Sequence, residues 1–342
     1  MHSFQSVDDL YFVTLNQLMN QAPIVNTRLG RARELFAVAV ALTDPLQNFV
    51  MHPSRKLSPV YANAELLWYL SGTERSEMIQ HYAPSYAQYV EDDGNDWGAY
   101  GYRLAKNLLT DECRCSELQI ITRMLAEDPN SRQAVAMIWR PTDVYHAYKK
   151  TRKSIPCTIC WQFLIRDGRL HMIATMRSND AWLGLPYDIY AFTSIQQLVA
   201  GELGIDAGVY AHQVGSMHIY EKDWPKAEML LKRGPNKALK IDLLSEHKGY
   251  YMLRHNYTRP DFTGLADALA AEIISRTGGD PSKVADCPSP LLHDAAAICI
   301  ASNLDRDPML HSPLLRKAYD DYRGRRRQSR KVDVVPDSGS KD

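Results

Sequence analysis

Asp167-Gly168 stands between two runs dense in β-favouring residues, Cys160 to Arg166 and Arg169 to Thr175. An Asp-Gly pair supplies the two positive-φ positions that a two-residue hairpin turn needs, so the second run should return antiparallel to the first. The hairpin constrains what flanks it. Cys157 follows Pro156, whose ring fixes the approach of the chain to the first strand, and Arg177 and Ser178 end the return strand. Leu185-Pro186 opens the next element. Apolar residues at Ile189, Phe192, Ile195, Leu198, Val199 and Leu203 then have the spacing of a helix with one buried face. Asp188 falls in the first turn of that helix, where the dipole favours a carboxylate, and helix capping alone would account for it.

A length of 342 residues is compatible with a single large α/β domain. Lys and Arg together number 40, as do Asp and Glu, so no global attraction to nucleic acid or anionic membrane is expected and a bound phosphate must be met by local arginines. No apolar run is long enough to span a bilayer and the first residues lack a basic-then-apolar leader, which makes the cytoplasm the expected compartment. Six cysteines do not make a disulfide framework in a chain of this size. Cys157-x-x-Cys160 has no second pair at ligand spacing, and Cys113-x-Cys115 is too tight to complete a zinc site, so no metal is expected. Strand alternation points Cys160 away from Cys157, and it is read as core.

Earlier in the chain, residues 8–20 look helical, as do residues 30–42, although the mixed spacing of Leu35, Phe36, Val38, Val40 and Leu42 could equally begin a strand. Arg28 stands in a turn with Gly30, usually the place of a solvated charge. Tyr61 to Leu70 reads as a short helix stopped by Ser71-Gly72. Glu65 lies among Ala64, Leu66, Leu67 and Trp68. There it is costly unless partnered or protonated, which makes it a candidate acid/base, the alternative being a side chain turned to solvent. The stretch from Gln80 to Tyr102 is rich in tyrosine and broken by Asp92-Asp93-Gly94-Asn95-Asp96, a loop by composition. Ser131-Arg132 precedes a strand-like run, Ala134 to Trp139. Residues 261–275 and 290–303 read as helices, and Arg323-Gly324-Arg325-Arg326-Arg327 opens a polar tail expected to be disordered, with nucleic-acid contact a minor alternative.

Four motifs occur together: Pro156-Cys157, Arg177-Ser178-Asn179-Asp180, Gly184-Leu185-Pro186-Tyr187-Asp188 and His218-Ile219-Tyr220. In order and spacing they resemble the pattern of thymidylate synthase and its relatives, the pyrimidine-nucleotide hydroxymethylases. Upstream, the resemblance takes in Arg28-Leu29-Gly30, Glu65-Leu66-Leu67-Trp68, Gly98-Ala99-Tyr100-Gly101 and Asp128-Pro129-Asn130-Ser131-Arg132, and it covers roughly residues 20 to 245. It implies an α/β (α+β) fold, with a large mixed or antiparallel twisted sheet covered by helices and a homodimer formed through the sheet. Residues 1–305 would make the catalytic domain and 306–342 a partly disordered C-terminal extension.

What the resemblance implies for the site is specific. Cys157 would be the thiolate that adds to carbon 6 of a pyrimidine nucleotide monophosphate, turning carbon 5 into a nucleophile. Arg28, Arg177, Ser178 and, from the partner protomer, Arg132 would hold the 5′-phosphate. His218 and Tyr220 would hold the sugar. Glu65 and Tyr100 would serve proton transfer at the base. Asp180, Gly184 and Tyr86 would line the site of 5,10-methylenetetrahydrofolate, the one-carbon donor. Four departures matter. Gln133 stands where a second arginine often follows Arg132. Tyr86 stands near the place of a folate-packing tryptophan. No apolar C-terminal lid is recognisable. Asp188 replaces the asparagine that reads uracil, and a carboxyl there suits cytosine, whose position 4 donates and whose N3 accepts. The expectation is a (deoxy)cytidylate 5-hydroxymethylase acting on dCMP or CMP. A dCMP C5-methyltransferase is the alternative, ahead of thymidylate synthase proper and of a non-catalytic nucleotide- or nucleic-acid-binding member of the fold.

Overall fold

A computed structural model describes residues 1–106, 115–236, 265–276, 289–305 and 307–332 except 309 and 311. Cys113 and residues 333–342 of the expected tail lie outside these residues. In chain order the elements are β1 (His2–Phe4), α1 (Val7–Gln21), β2 (Ile24–Thr27), β3 (Gly30–Leu42), α2 (Pro59–Ser71), α3 (Glu77–Tyr82), α4 (Tyr100–Lys106), α5 (Glu117–Glu127), β4 (Val135–Met137), α6 (Pro141–Lys149), β5 (Thr158–Arg166), β6 (Arg169–Asp180), α7 (Leu185–Glu202), β7 (Asp206–Tyr220), α8 (Trp224–Arg233), α9 (Leu265–Arg276), α10 (Pro290–Leu304) and α11 (Pro313–Val332). A 3₁₀ turn, Pro84–Tyr89, joins α3 to the acidic loop.

The strands form one mixed sheet in the order β1-β3-β7-β6-β5-β4, with β2 paired to β3 at the side. β5 and β6 form the expected hairpin, where Asp167 and Gly168 take the positive φ of 50° and 68° that the turn requires. The return strand runs two residues past Ser178, to Asp180, because β7 lies alongside it and pairs Ser178 with Ser216 and Asp180 with His218. That pairing is parallel, and α7 is the crossover that a parallel connection needs.

The helix over Ile189–Leu203 begins earlier, at Leu185, and is buried on nearly all sides rather than on one face. Its polar residues are absorbed accordingly: Gln196 donates to the Leu170 carbonyl at 2.8 Å and Gln197 to that of Pro45 at 3.1 Å. Residues 30–42 form a strand, not a helix, because β7 offers a ten-pair antiparallel partner from Ala32↔Tyr220 to Leu42↔Tyr210. Ala37, at φ 56°, interrupts that ladder without changing its register, and Phe36 beside it is 85% exposed. Helix α2 starts two residues before the expected Tyr61: Pro59 occupies its first turn and the Ser58 hydroxyl caps it by accepting from the Tyr61 amide, while Gly72 at φ 65° ends it.

The arginine-rich segment from Arg323 is helical through Val332, contrary to the disordered tail expected from composition. Leu314, Leu315, Ala318 and Tyr319 give its helix a buried stripe, and Arg325 donates to the Leu57 carbonyl at 3.3 Å, just ahead of α2. Among the described residues, no helix is long and apolar enough to cross a membrane.

Candidate active site

The carboxyl ends of β6 and β7, the start of α7 and the middle of α2 converge. Cys157 precedes β5, and its carbonyl accepts from the Arg177 amide at 2.8 Å, which extends the hairpin ladder to the thiol. The Ser178 hydroxyl donates to Cys157 Sγ at 3.6 Å and itself accepts from the Arg177 guanidinium at 2.9 Å. Arg177 also donates to the carbonyls of Pro156 and Ile155, at 2.9 and 3.0 Å. It braces the loop that presents Cys157. Behind the thiol, the Thr158 amide donates to the Tyr100 hydroxyl at 3.3 Å, and the Tyr100 ring stacks on Tyr69 with centroids 5.2 Å apart.

Glu65, on α2, is buried, not turned to solvent. Tyr61, one turn earlier, donates to Oε1 at 2.8 Å, while Oε2 is buried with no partner. Burial pushes the Glu65 carboxyl up to about 8, and the charge of Asp188 adds to the rise against the lowering pull of the Tyr61 and Tyr69 hydroxyls. Glu65 is therefore protonated at neutral pH, the state of a group poised to donate.

Asp188 does not cap its own helix, whose start has no side-chain cap. Its Oδ2 instead accepts from Asn179 Nδ2 at 2.7 Å, and the residue stays partly exposed. Burial of the carboxyl pushes it up to about 7, partly offset by the Asn179 bond. Gly184 makes room for this pair, since a Cβ there would stand 2.9 Å from Asn179 Nδ2 and 3.0 Å from Asp188 Oδ2. This close approach gives Gly184 a packing role.

Asp180 Oδ1 accepts from the amides of Trp182 and Leu183 at 2.8 and 3.0 Å, which fixes the turn into α7. Burial raises the Asp180 carboxyl, and His218 opposes the rise. The His218 and Tyr220 rings meet edge to face at 5.0 Å, on one face of β7. Tyr220 lies within reach of Thr27 and in the field of Asp180, Cys157 and Tyr89. The turn carrying Arg28 follows Thr27 directly, and the Arg28 side chain is exposed there.

Several candidates are not gathered here. Arg132 is exposed beside β4, and among the described residues only its carbonyl is engaged, by Gln162 at 3.0 Å. Tyr86 packs edge to face on Trp68 at 5.5 Å and donates to Asp96 at 2.5 Å, so its polar end is already in use. Tyr89, three residues on, is 42% exposed and, like Tyr220, feels the charges of Asp180 and Cys157. Cys160 is half-buried on the outer side of β5 and not in the core, because a ladder irregularity falls between Thr158 and Cys160. Burial pushes its thiol up, away from the thiolate. Among the described residues no cluster of His, Cys, Asp and Glu could hold a metal.

Sequence reasoning missed Asn179, His212 and Tyr210. His212 Nε2 meets Asn179 Oδ1 at 2.9 Å and its Nδ1 meets the Tyr210 hydroxyl at 2.7 Å, all three residues buried. The available signal was Tyr210 and His212 two apart on an inward-facing strand face that otherwise calls for apolar side chains.

A family model described as thymidylate synthase matches residues 11–262. Among curated relatives, a thymidylate synthase of Bacillus phage phi3T is 26% identical over 212 residues, covering 61% of this chain and 73% of the relative. A deoxyuridylate hydroxymethyltransferase of Bacillus phage SP01 is 27% identical over 224 residues, 63% of this chain and 57% of that protein. Among solved structures, a thermostable thymidylate synthase A from Bacillus subtilis superposes with a TM-score of 0.57 at 20% identity, covering 68% of this chain and 86% of that one, so the fold is shared. With a thiol presented by a Pro-Cys turn, an Arg-Ser brace and a match over most of its length, the chain belongs to the thymidylate synthase family.

Proposed function

We propose that this chain is a (deoxy)cytidylate 5-hydroxymethylase, a one-carbon transferase that places a hydroxymethyl group on carbon 5 of dCMP or CMP. The observation that carries the reading is Asp188, a carboxyl held near neutrality where the family pattern has an amide, with Oδ2 taken by Asn179. A neutral carboxyl accepts from the 4-amino group and donates to N3, the complement of cytosine. The Cys157 thiolate adds at carbon 6, and the electron pair displaced from the 5,6 double bond makes carbon 5 nucleophilic. A proton from Asp188 to N3 stabilises the charge that this addition pushes into the ring.

Two features fit a folate one-carbon donor: the buried, partnerless Oε2 of Glu65, and the half-buried Asp180, whose Oδ2 has no hydrogen bond among the described residues. When bound, methylenetetrahydrofolate supplies one carbon at the oxidation level of formaldehyde. Asp180 would accept from its pterin, with Tyr89 beside it, and Glu65 would manage protons near carbon 5. Tyr89 and Tyr220 give the mouth of the site hydroxyl-bearing walls, which suits water as the final addend instead of hydride. The phosphate would rest on Ser178, Arg177 and Arg28, with Arg132 reaching it from a second protomer. Exposed Phe36, Val135 and Met137 support burial of the sheet face in such a homodimer.

The test is release of tritium from carbon 5 of labelled dCMP, CMP and dUMP in the presence of methylenetetrahydrofolate, followed by product mass. Hydroxymethyl-cytidylate without dihydrofolate is expected. Methyl-cytidylate with stoichiometric dihydrofolate, seen as its absorbance rise, would establish the methyltransferase instead. Release from dUMP alone would overturn the cytidylate reading.

A further inference from the structure

A neutral carboxyl is an ambiguous reader of a base edge. With the proton on one oxygen it presents donor then acceptor, and with the proton on the other it presents the reverse, so by itself it accommodates either cytosine or uracil. Asp188 is not left by itself. Its surroundings are Asn179 on β6, Glu65, Tyr61 and Tyr69 on α2, Tyr100 on α4, and Tyr210 and His212 on β7. Among these, one buried chain of hydrogen bonds ends on Asp188: Tyr210, His212, Asn179, Asp188, with links of 2.7, 2.9 and 2.7 Å.

The direction of the chain follows from its far end. Among the described residues, the fully buried Tyr210 hydroxyl meets no acceptor but His212 Nδ1, so it donates there. His212 is fully buried and burial lowers its pKa to about 3, so its ring is neutral and carries one proton. With Nδ1 accepting, that proton sits on Nε2 and is donated to Asn179 Oδ1. The Asn179 amide is thereby oriented with Nδ2 towards Asp188, and Asp188 Oδ2 must accept. A proton held by the carboxyl therefore resides on Oδ1, which makes no hydrogen bond among the described residues and is left for the ligand.

We propose that the Tyr210–His212–Asn179 chain is a specificity-determining relay: it fixes which oxygen of Asp188 carries the proton, so the residue offers one donor–acceptor order to the pyrimidine edge and rejects the base of the opposite order. All three are positioning residues and act through Asp188. That the favoured base is cytosine rests on the cytidylate reading above. That one base is discriminated from the other does not.

The experiment is calorimetric binding of dCMP and dUMP to the full-length protein without folate, and tritium release from both nucleotides with it, for wild type, Tyr210→Phe and Asn179→Ala. Tyr210→Phe removes a single buried hydroxyl three links from Asp188 and frees His212 to exchange tautomers. Asn179→Ala cuts the chain at Asp188 and serves where the first variant unfolds. Loss of one orienting hydrogen bond should shrink the wild-type ratio of affinities between the two bases by about fivefold to tenfold in each folded variant. A merely structural role would weaken both nucleotides alike and leave the ratio unmoved, which would overturn the relay, as would a wild type that binds both bases equally. A wild type that prefers dUMP, with the ratio still collapsing in the variants, would sink the cytidylate reading and keep the relay. Failure of both nucleotides to bind would sink both.

Discussion

The Tyr61 hydroxyl donates to Glu65 Oε1 across 2.8 Å and leaves Oε2 of the same buried carboxyl with no partner. A half-satisfied acid in such a place is stable only while it keeps its proton, and burial holds that proton to about 8 against an ordinary value of 4.5. The folded chain thus binds more protons than the unfolded one between these values, and stability falls as pH rises through that window. Glu65→Gln should remove this dependence. We expect wild type to lose roughly 2–4 kcal/mol of this contribution between pH 5 and pH 8 and the variant to lose little of it, measured by urea unfolding at each pH. Parallel pH profiles would show that Glu65 is ionised in the folded state.

Cys157→Ala should lower turnover at least about a thousandfold, since no other group at the site can add to carbon 6. Nucleotide binding by calorimetry should survive, because Arg177 still braces the Ile155–Pro156 carbonyls and Ser178 stays in place. Ordinary activity in this variant would sink the covalent mechanism.

Asp188→Asn puts an amide where the proposed function has a carboxyl facing the base, and an amide can donate to O4 and accept from N3–H of uracil. The ratio of kcat/KM for dCMP over dUMP should fall by at least about tenfold. An unchanged ratio would reduce Asp188 to a packing partner of Asn179.

Arg132 is exposed and its side chain is unengaged among the described residues, as suits a residue that completes a neighbour's site. Mixed Arg132→Ala and Cys157→Ala chains, each nearly inactive alone, should regain about a quarter of wild-type activity after subunit exchange, one intact site in half of the dimers. Verified exchange without recovery would count against a shared site.

Local chemistry made much of this protein legible before any fold was known. The Asp167-Gly168 turn, the Ser58 and Gly72 ends of α2 and the burial of Glu65 follow from φ preferences, capping and the cost of an apolar neighbourhood, all of which act within a few residues. The spacing of Pro156-Cys157, Arg177-Ser178 and His218-x-Tyr220 likewise sufficed to place a thiol, its brace and a polar pair on one sheet. Other features had no local cause. Gly30–Leu42 is a strand because β7 lies beside it, and Pro313–Val332 is helical with Leu314, Leu315, Ala318 and Tyr319 buried. Tyr89 and not Tyr86 feels the charges of Asp180 and Cys157, since the 3₁₀ turn directs Tyr86 onto Trp68 and Asp96. The partner of Asp188 is the sharpest case. Asn179 and His212 are 33 positions apart and meet only because β6 and β7 lie side by side in the sheet, and a slip of one residue would turn either side chain to the other face.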